Sequence, residues 1–279
     1  MGLVVFFLQF LPKLLLSRAL GFFASIRFPA QIQHLVAQLF VNMFGIDMRE
    51  AEKELKDYRS IQEVFSRRLR TGAREITSEF CSPVDGMLNN SQSPNGILGF
   101  QAKGYYYSLR ELIYGADAID FDFEPAWHMT FYLAPHNYHR VHAPFAGEIL
   151  SERWITGERW SVNEGFRKTV TRLYARNERK IFHLMHTATG GRAYLVMVAA
   201  FGVGNMVVTA YDCENYHKNV SLRVLLPSVS LKAGQELAYF AFGSTVILVC
   251  DQIIADHCNF ITARSDAPVR VGTSLLKHA

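Results

Sequence analysis

The feature that most constrains this chain is a change of texture at Gly72. Upstream of it, apolar residues recur at Ile32, Leu35, Val36, Leu39, Phe40 and Met43, and this i, i+3, i+4, i+7 spacing predicts an amphipathic helix over Gln31 to Met43. Ser60 and Glu63 form an S-x-x-E capping box ahead of Ile61, Val64, Phe65 and Leu69, which predicts a second helix. The intervening "DMREAEKELKDY" reads as a charged, solvated helix. Downstream, short apolar or alternating runs are separated by Asp-Gly, Pro-Asn-Gly, Gly-Gly and Ala-Gly, as expected of strands joined by turns. The clearest are Trp127 to Leu133, Arg192 to Gly202, Met206 to Ala210, Val220 to Leu226 and Thr245 to Val249. Helices first and strands afterwards predict an α+β fold, with N-terminal amphipathic helices over residues 1–72 and a mostly antiparallel, β-rich core over 73–279.

With 49% hydrophobic residues, the 279-residue chain can fill a sizeable core. A net charge of +4, from 29 basic and 25 acidic residues, is too small an excess to point to nucleic acid, although it suits a surface near anionic lipid. Four dispersed cysteines without a C-x-x-C pair read as reduced packing residues, not a disulfide framework or zinc site. The opening "MGLVVFFLQFLPKLLLSRALGFFASIRFP" is lipid-like, but Gln9, Pro12, Lys13 and Arg18 interrupt it short of the roughly 20 apolar residues of a membrane span. It lacks a basic region before Val4 and has Phe6 where a myristoylation site has Ser or Thr. An interfacial helix is expected, with Lys13, Arg18 and Arg27 at the phosphates; the alternative is a helix covering the core.

Three places could carry chemistry. In "SPVDG", Asp85 either bonds its own turn or serves as an acid at a site. In "FYLAPHNYHRVHAP", His136, His139 and His142 fall at intervals of three. On a helix they could share a metal, but Pro135 and Pro144 bracket the segment and disfavour that arrangement, so no metal is expected. On an irregular loop one imidazole could instead act as a general base near neutral pH. In "AYFAFGSTVILVC", the small residues Gly243 and Ser244 interrupt an apolar run. Either they form a plain bulge, or Gly243 permits a bend that brings its own carbonyl to the Ser244 hydroxyl.

Taken in order, these pieces resemble the bacterial, membrane-associated phosphatidylserine decarboxylases, pyruvoyl enzymes made as self-cleaving proenzymes. "SRRLRTGARE", "QAKGYYYSL", "YHRVHAP", "SVN" and "ARNER" resemble stretches of that family, and "FGST" resembles its Leu-Gly-Ser-Thr processing site with Phe242 in place of leucine. The resemblance implies autocatalytic serinolysis of the Gly243-Ser244 bond, a β chain ending at 243, an α chain of 244–279, and a pyruvoyl cofactor derived from Ser244. It implies an Asp85-His142-Ser244 triad for cleavage and a role for His139 in decarboxylation, and assigns none to His136. The implied reaction converts phosphatidylserine to phosphatidylethanolamine through a Schiff base, without pyridoxal phosphate. The implied location is peripheral, on the anionic cytoplasmic face of the inner membrane, with residues 1–72 associating with lipid and room for a homodimer.

Two other classes compete. A serine hydrolase could use Asp85, His142 and Ser244 on an external ester, although "FGSTV" lacks the second glycine of a G-x-S-x-G elbow. A non-enzymatic peripheral lipid-binding protein would explain the N-terminus but not the ordered motifs.

Overall fold

The computed structural model describes residues 13–102, 104–115, 123–202, 206–211, 222–241, 244–262 and 266–277. Its strands, in chain order, are β1 (Gly86–Gln92), β2 (Leu98–Ala102), β3 (Tyr105–Ser108), β4 (Pro125–Leu133), β5 (Arg140–His142), β6 (Gly147–Ile155) and β7 (Arg179–His186). After these come β8 (Arg192–Ala199), β9 (Met206–Val208), β10 (Leu222–Leu231), β11 (Glu236–Phe240), β12 (Ser244–Asp251) and β13 (Ala267–Val269). The helices are α1 (Lys13–Ser25), α2 (Ala30–Phe44), α3 (Ile61–Phe65), α4 (Leu109–Tyr114), α5 (Glu164–Arg167), α6 (Leu173–Arg176) and α7 (Gln252–His257).

The longer helices precede the strands, and all strand pairs among the described residues are antiparallel, so the fold is α+β. The main sheet has eight strands in the order β10-β6-β7-β8-β12-β4-β1-β13, beside a three-stranded sheet β5-β11-β9. β12 lies between β8 and β4, and every one of its residues is buried. A strand covered on both faces needs no polar alternation, which is why "STVILVC" reads as an unbroken apolar run. The longer run "AYFAFGSTVILVC" is two strands in different sheets, since β11 ends at Phe240 and β12 begins at Ser244. Ser244 therefore opens the second strand and does not interrupt a single one.

At α3 the Ser60 cap forms as predicted, its hydroxyl accepting from Glu63 N at 3.1 Å, while the Glu63 carboxylate takes Arg59 N at 3.0 Å, one residue before the cap. The segment over residues 47–58 departs from the predicted charged helix. Only Leu55–Asp57 makes a 3₁₀ turn, because Glu52 N and Glu50 O bond to Arg68 O and Arg70 N. Pairing with residues 68–70 outcompetes local helix propensity there.

α2 matches its predicted span, but its apolar stripe faces outward. Gln33, Ala37, Phe40 and Val41 are buried, whereas Ile32, Leu35, Leu39 and Met43 are exposed. On α1, Leu15, Leu16, Leu20, Phe22 and Phe23 are exposed too, while Ser17 is buried and accepts a hydrogen bond from Gly202 N at 3.1 Å. A contiguous apolar surface of this kind marks an interaction face. Among the described residues, no helix is long and apolar enough to cross a membrane.

Candidate active site

Ser244, the first residue of β12, pairs with Leu133 of β4 on one side and Ala199 of β8 on the other. Its hydroxyl is buried and has no hydrogen-bond partner among the described residues. An orphaned buried polar group costs about 1–3 kcal/mol, so the fold tolerates this one at a price. Gly243 and Phe242 lie outside the described residues. The neighbouring Ala199 is held from outside: its N donates to Glu178 O at 2.8 Å, and its carbonyl accepts from the Asn177 side chain at 2.8 Å.

Asp85 immediately precedes β1. It does not bond its own turn; its carboxylate accepts from Arg74 Nε at 3.0 Å, from Arg74 Nη2 at 2.5 Å and from Val271 N at 2.9 Å. Arg74 also reaches Glu50 at 2.9 Å, so one guanidinium bridges two carboxylates, and its pKa is raised further above its ordinary value. The glycine after Asp85 serves a close approach. A Cβ at Gly86 would lie 2.4 Å from Tyr132 O on β4.

His142 lies on β5, with its N bonded to Pro83 O at 2.8 Å, which ties it to the segment carrying Asp85. Its Nδ1 is 2.7 Å from Gly234 O. A carbonyl only accepts, so Nδ1 carries the proton, and Nε2 presents its lone pair to the Tyr138 hydroxyl at 3.1 Å. Burial, chiefly, pushes this imidazole below its usual pKa, and it is therefore a neutral base at pH 7. The orienting task that a carboxylate performs in a triad is here performed by a backbone carbonyl.

His139 is fully buried. Its Nδ1 donates to Asn137 O at 2.8 Å, its Nε2 has no partner, and its ring centroid lies 3.9 Å from that of Phe65 at the end of α3. Burial in this apolar setting pushes its pKa down to about 3. His136 is exposed, and its carbonyl accepts from Arg67. The three histidines thus occupy an exposed turn, a buried stretch of irregular backbone and a strand, and among the described residues no group of His, Cys, Asp and Glu converges on a metal position.

The structure gathers Asp85 and His142 around Pro83, and the Asp85 charge acts on His142 through space. No hydrogen bond joins Asp85, His142 and Ser244 among the described residues. A cavity of about 490 Å³ is lined by Asp85, Gly86, Tyr138, Arg67, Arg74 and Glu50; among the described residues it reaches His142 only through the Tyr138 hydroxyl. The sequence reading missed Arg74, Tyr138, Gly234 and Arg67. Arg74 and Tyr138 fall within quoted motifs, but only the folded chain gives them partners, and a backbone acceptor such as Gly234 has no signal in residue type.

The phosphatidylserine decarboxylase family profile matches residues 61–277. A phosphatidylserine decarboxylase proenzyme of Alcanivorax borkumensis is 34% identical over 250 residues, covering 87% of this chain and 85% of its own length. Those of Herminiimonas arsenicoxydans and Pasteurella multocida are each 32% identical, over 96% and 95% of this chain and 93% and 91% of their own lengths. With a profile match across most of its length and relatives this similar nearly end to end, the chain belongs to the phosphatidylserine decarboxylase family.

Proposed function

We propose that this chain is a proenzyme that cuts itself between Gly243 and Ser244, turns Ser244 into a pyruvoyl group, and then decarboxylates phosphatidylserine to phosphatidylethanolamine. The observation that carries this reading is the Ser244 hydroxyl, buried and without a partner among the described residues at the start of β12. Such a group is out of reach of an external ester and adjacent to its own backbone, which favours self-cleavage over a serine hydrolase.

In the first step the Ser244 Oγ attacks the carbonyl carbon of Gly243, its proton passes to His142 Nε2, and the C–N bond breaks as the ester C–O bond forms. The amide nitrogen takes up a proton to become an amine. Tyr138 holds Nε2 beforehand, so its hydroxyl either yields the place or passes the proton along. Asp85 stabilises the imidazolium that forms through its field. Loss of the residue 244 α-proton and cleavage of its Cβ–O bond then release the Gly243 carboxylate. The remaining dehydroalanine tautomerises, takes up water and loses ammonia.

An orphaned hydroxyl fits this fate, since its conversion removes a donor the fold leaves unsatisfied. The ketone so formed supplies an electrophile for the substrate amine and a sink for the electron pair left as carbon dioxide departs. His139, neutral with a free Nε2 lone pair, serves decarboxylation as an acceptor that positions the substrate. With a pKa of about 3 it holds no spare proton at pH 7. His142 takes the proton that the substrate ammonium gives up as it condenses with the ketone, and returns it to Cα as carbon dioxide departs.

Residues 1–72 associate with the membrane and 73–279 form the catalytic domain, placed peripherally on the cytoplasmic face of the inner membrane. The outward apolar faces of α1 and α2 support this, as does the Ser17 to Gly202 bond, which fastens α1 just beyond the end of β8 where Ala199 pairs with Ser244. The α chain of residues 244–279 stays attached to the β chain of 1–243 through β12.

A denaturing gel with intact mass tests the reading. The purified protein runs as two pieces divided at Gly243/Ser244, the smaller reacting with hydrazine reagents, and Ser244→Ala and His142→Ala each leave an uncut precursor. A single uncut species with full decarboxylase activity overturns it.

A further inference from the structure

Arg67 is 4% exposed, yet its guanidinium pairs with no carboxylate. Nη2 donates to His136 O at 3.2 Å, while Nε and Nη1 are buried without any partner. A fixed charge in this state is costly: Asp85 and Asp47 act on it through space, but among the described residues no carboxylate contacts it, unlike the surrounding ions. Asp85 and Glu50 are neutralised by Arg74, with Arg270 reaching Glu50 at 3.1 Å, and Asp47 is held by Arg49 at 2.7 Å. Among the described residues, Arg67 is thus the cation lining this cavity of about 490 Å³ that no carboxylate contacts, beside Asp85, Gly86 and Tyr138. That volume suits a headgroup-sized ligand.

The cavity adjoins the reacting residues. Met87, which also lines the cavity, is in register with Tyr132, which pairs with Thr245, so two strand spacings, about 10 Å, separate the cavity wall from the residue next to Ser244. Tyr138 reaches His142, and the Arg67 charge bears on His139.

We propose that Arg67 holds the phosphodiester anion of the lipid headgroup in this cavity, fixing the headgroup while its amino-acid end reaches position 244. The inference rests on the reading given under Proposed function. Of the two anions on such a substrate, the phosphodiester is the one a buried cation can hold without penalty. Decarboxylation disperses the carboxylate charge, so a cation paired with the carboxylate stabilises the ground state more than the transition state and slows the reaction. A guanidinium presents two planar forks, Nε with Nη2 and Nη1 with Nη2, each matched to two phosphate oxygens; His136 O takes one Nη2 hydrogen, so the second Nη2 hydrogen and the unpartnered donor beside it complete one fork for the anion.

The test uses processed wild-type protein, Arg67→Gln, Arg67→Lys and Arg67→Met. Glycerophosphoethanolamine is the probe, inorganic phosphate the free-anion control, and ethanolamine with glycerol the uncharged-linker control. Wild type binds the phosphodiester by calorimetry and gains thermal stability from it, and neither happens with the control mixture. Arg67→Gln and Arg67→Met lose at least tenfold in affinity, and in decarboxylation the loss falls on KM more than on kcat, while Arg67→Lys recovers part of both. Their denaturation midpoints without ligand stay level or rise, because a buried charge without a contacting carboxylate has been removed.

Unchanged affinity in Arg67→Gln, or no thermal shift in wild type, overturns the proposal, as does a midpoint drop in all three variants with affinity per folded molecule preserved. Inorganic phosphate binding as tightly as the diester overturns the headgroup assignment. Phosphodiester binding that depends on Arg67, in a protein that decarboxylates no lipid, upholds the anion site and refutes the function proposed above.

Discussion

Gly86→Ala tests how the position of Ser244 is set. The added methyl meets Tyr132 O at 2.4 Å and Tyr132 C at 3.2 Å, against an ordinary contact distance of 3.4–4 Å. Both atoms are backbone, so no rotamer change relieves the clash, and β4 must retreat from β1 by about 1 Å. Tyr132 and Leu133 pair on their other side with Thr245 and Ser244, so the retreat passes directly to the residue expected to react. Overpacking of this kind costs about 1–3 kcal/mol of stability. A displacement of about 1 Å at a reacting group costs about 10²-fold in rate.

The assay follows precursor and products on denaturing gels after a pulse of synthesis, with urea denaturation run in parallel. Gly190→Ala is the control. It has φ +70° with nothing within 4 Å, and lies in the turn between β7 and β8, at the end of β8 opposite Ala199. It loses about 1–2 kcal/mol to backbone strain alone and processes normally. Cleavage of Gly86→Ala within twofold of wild type would refute the argument that the β1–β4 contact fixes Ser244.

Burial holds the pKa of His128 at about 4 and that of His139 at about 3, against about 6.5 in an unfolded chain. Below pH 6.5 only the unfolded state takes up these protons, so stability is full above that pH and declines toward pH 3. The loss is about 4 kcal/mol between pH 7 and pH 5 for the two together, and a flat urea midpoint over that interval contradicts it. Asn177→Ala removes the hydrogen bonds to Trp160 N, Trp160 O and Ala199 O at once. It is expected to cost at least about 3 kcal/mol and to slow cleavage, and a loss under about 1 kcal/mol by denaturant titration would show that these groups find other partners. Phe22→Ser, Leu39→Ser and Met43→Ser replace side chains 67%, 57% and 76% exposed, so the triple variant keeps its melting midpoint and sediments less with anionic liposomes. A lowered midpoint with unchanged sedimentation would assign that face to packing within the protein.

The fold class was legible because the two periodicities occupy different parts of the chain. The predicted helix over Gln31 to Met43 and the strands at Trp127 to Leu133 and Thr245 to Val249 all form, with ends displaced by a few residues. Less legible were strands without apolar alternation, such as β1, where "GMLNNSQ" buries two asparagines and a serine by hydrogen bonding them. Periodicity also could not say which way α2 faces. An apolar stripe predicts burial, and nothing local reveals that Ile32, Leu35, Leu39 and Met43 face outward. At the site, residue type pointed to Asp85, His139, His142 and Ser244, but the partners that define their states are an arginine, a tyrosine hydroxyl and a glycine carbonyl. Such partners are distant in sequence or carry no side-chain signal.

The place of β12 in the main sheet bears on how the molecule is assembled. Its neighbours β4 and β8 are both made before it, and until it slides between them each presents a long open edge at the middle of the sheet. Open edges invite pairing with other chains, so the interval between synthesis of β8 and insertion of β12 is the period of greatest risk for this protein. Closing that gap joins the two halves of the sheet, and the same event seats Ser244. Under the reaction proposed above, completing the architecture and placing the reacting serine are therefore one step, which a truncated or misthreaded chain does not reach.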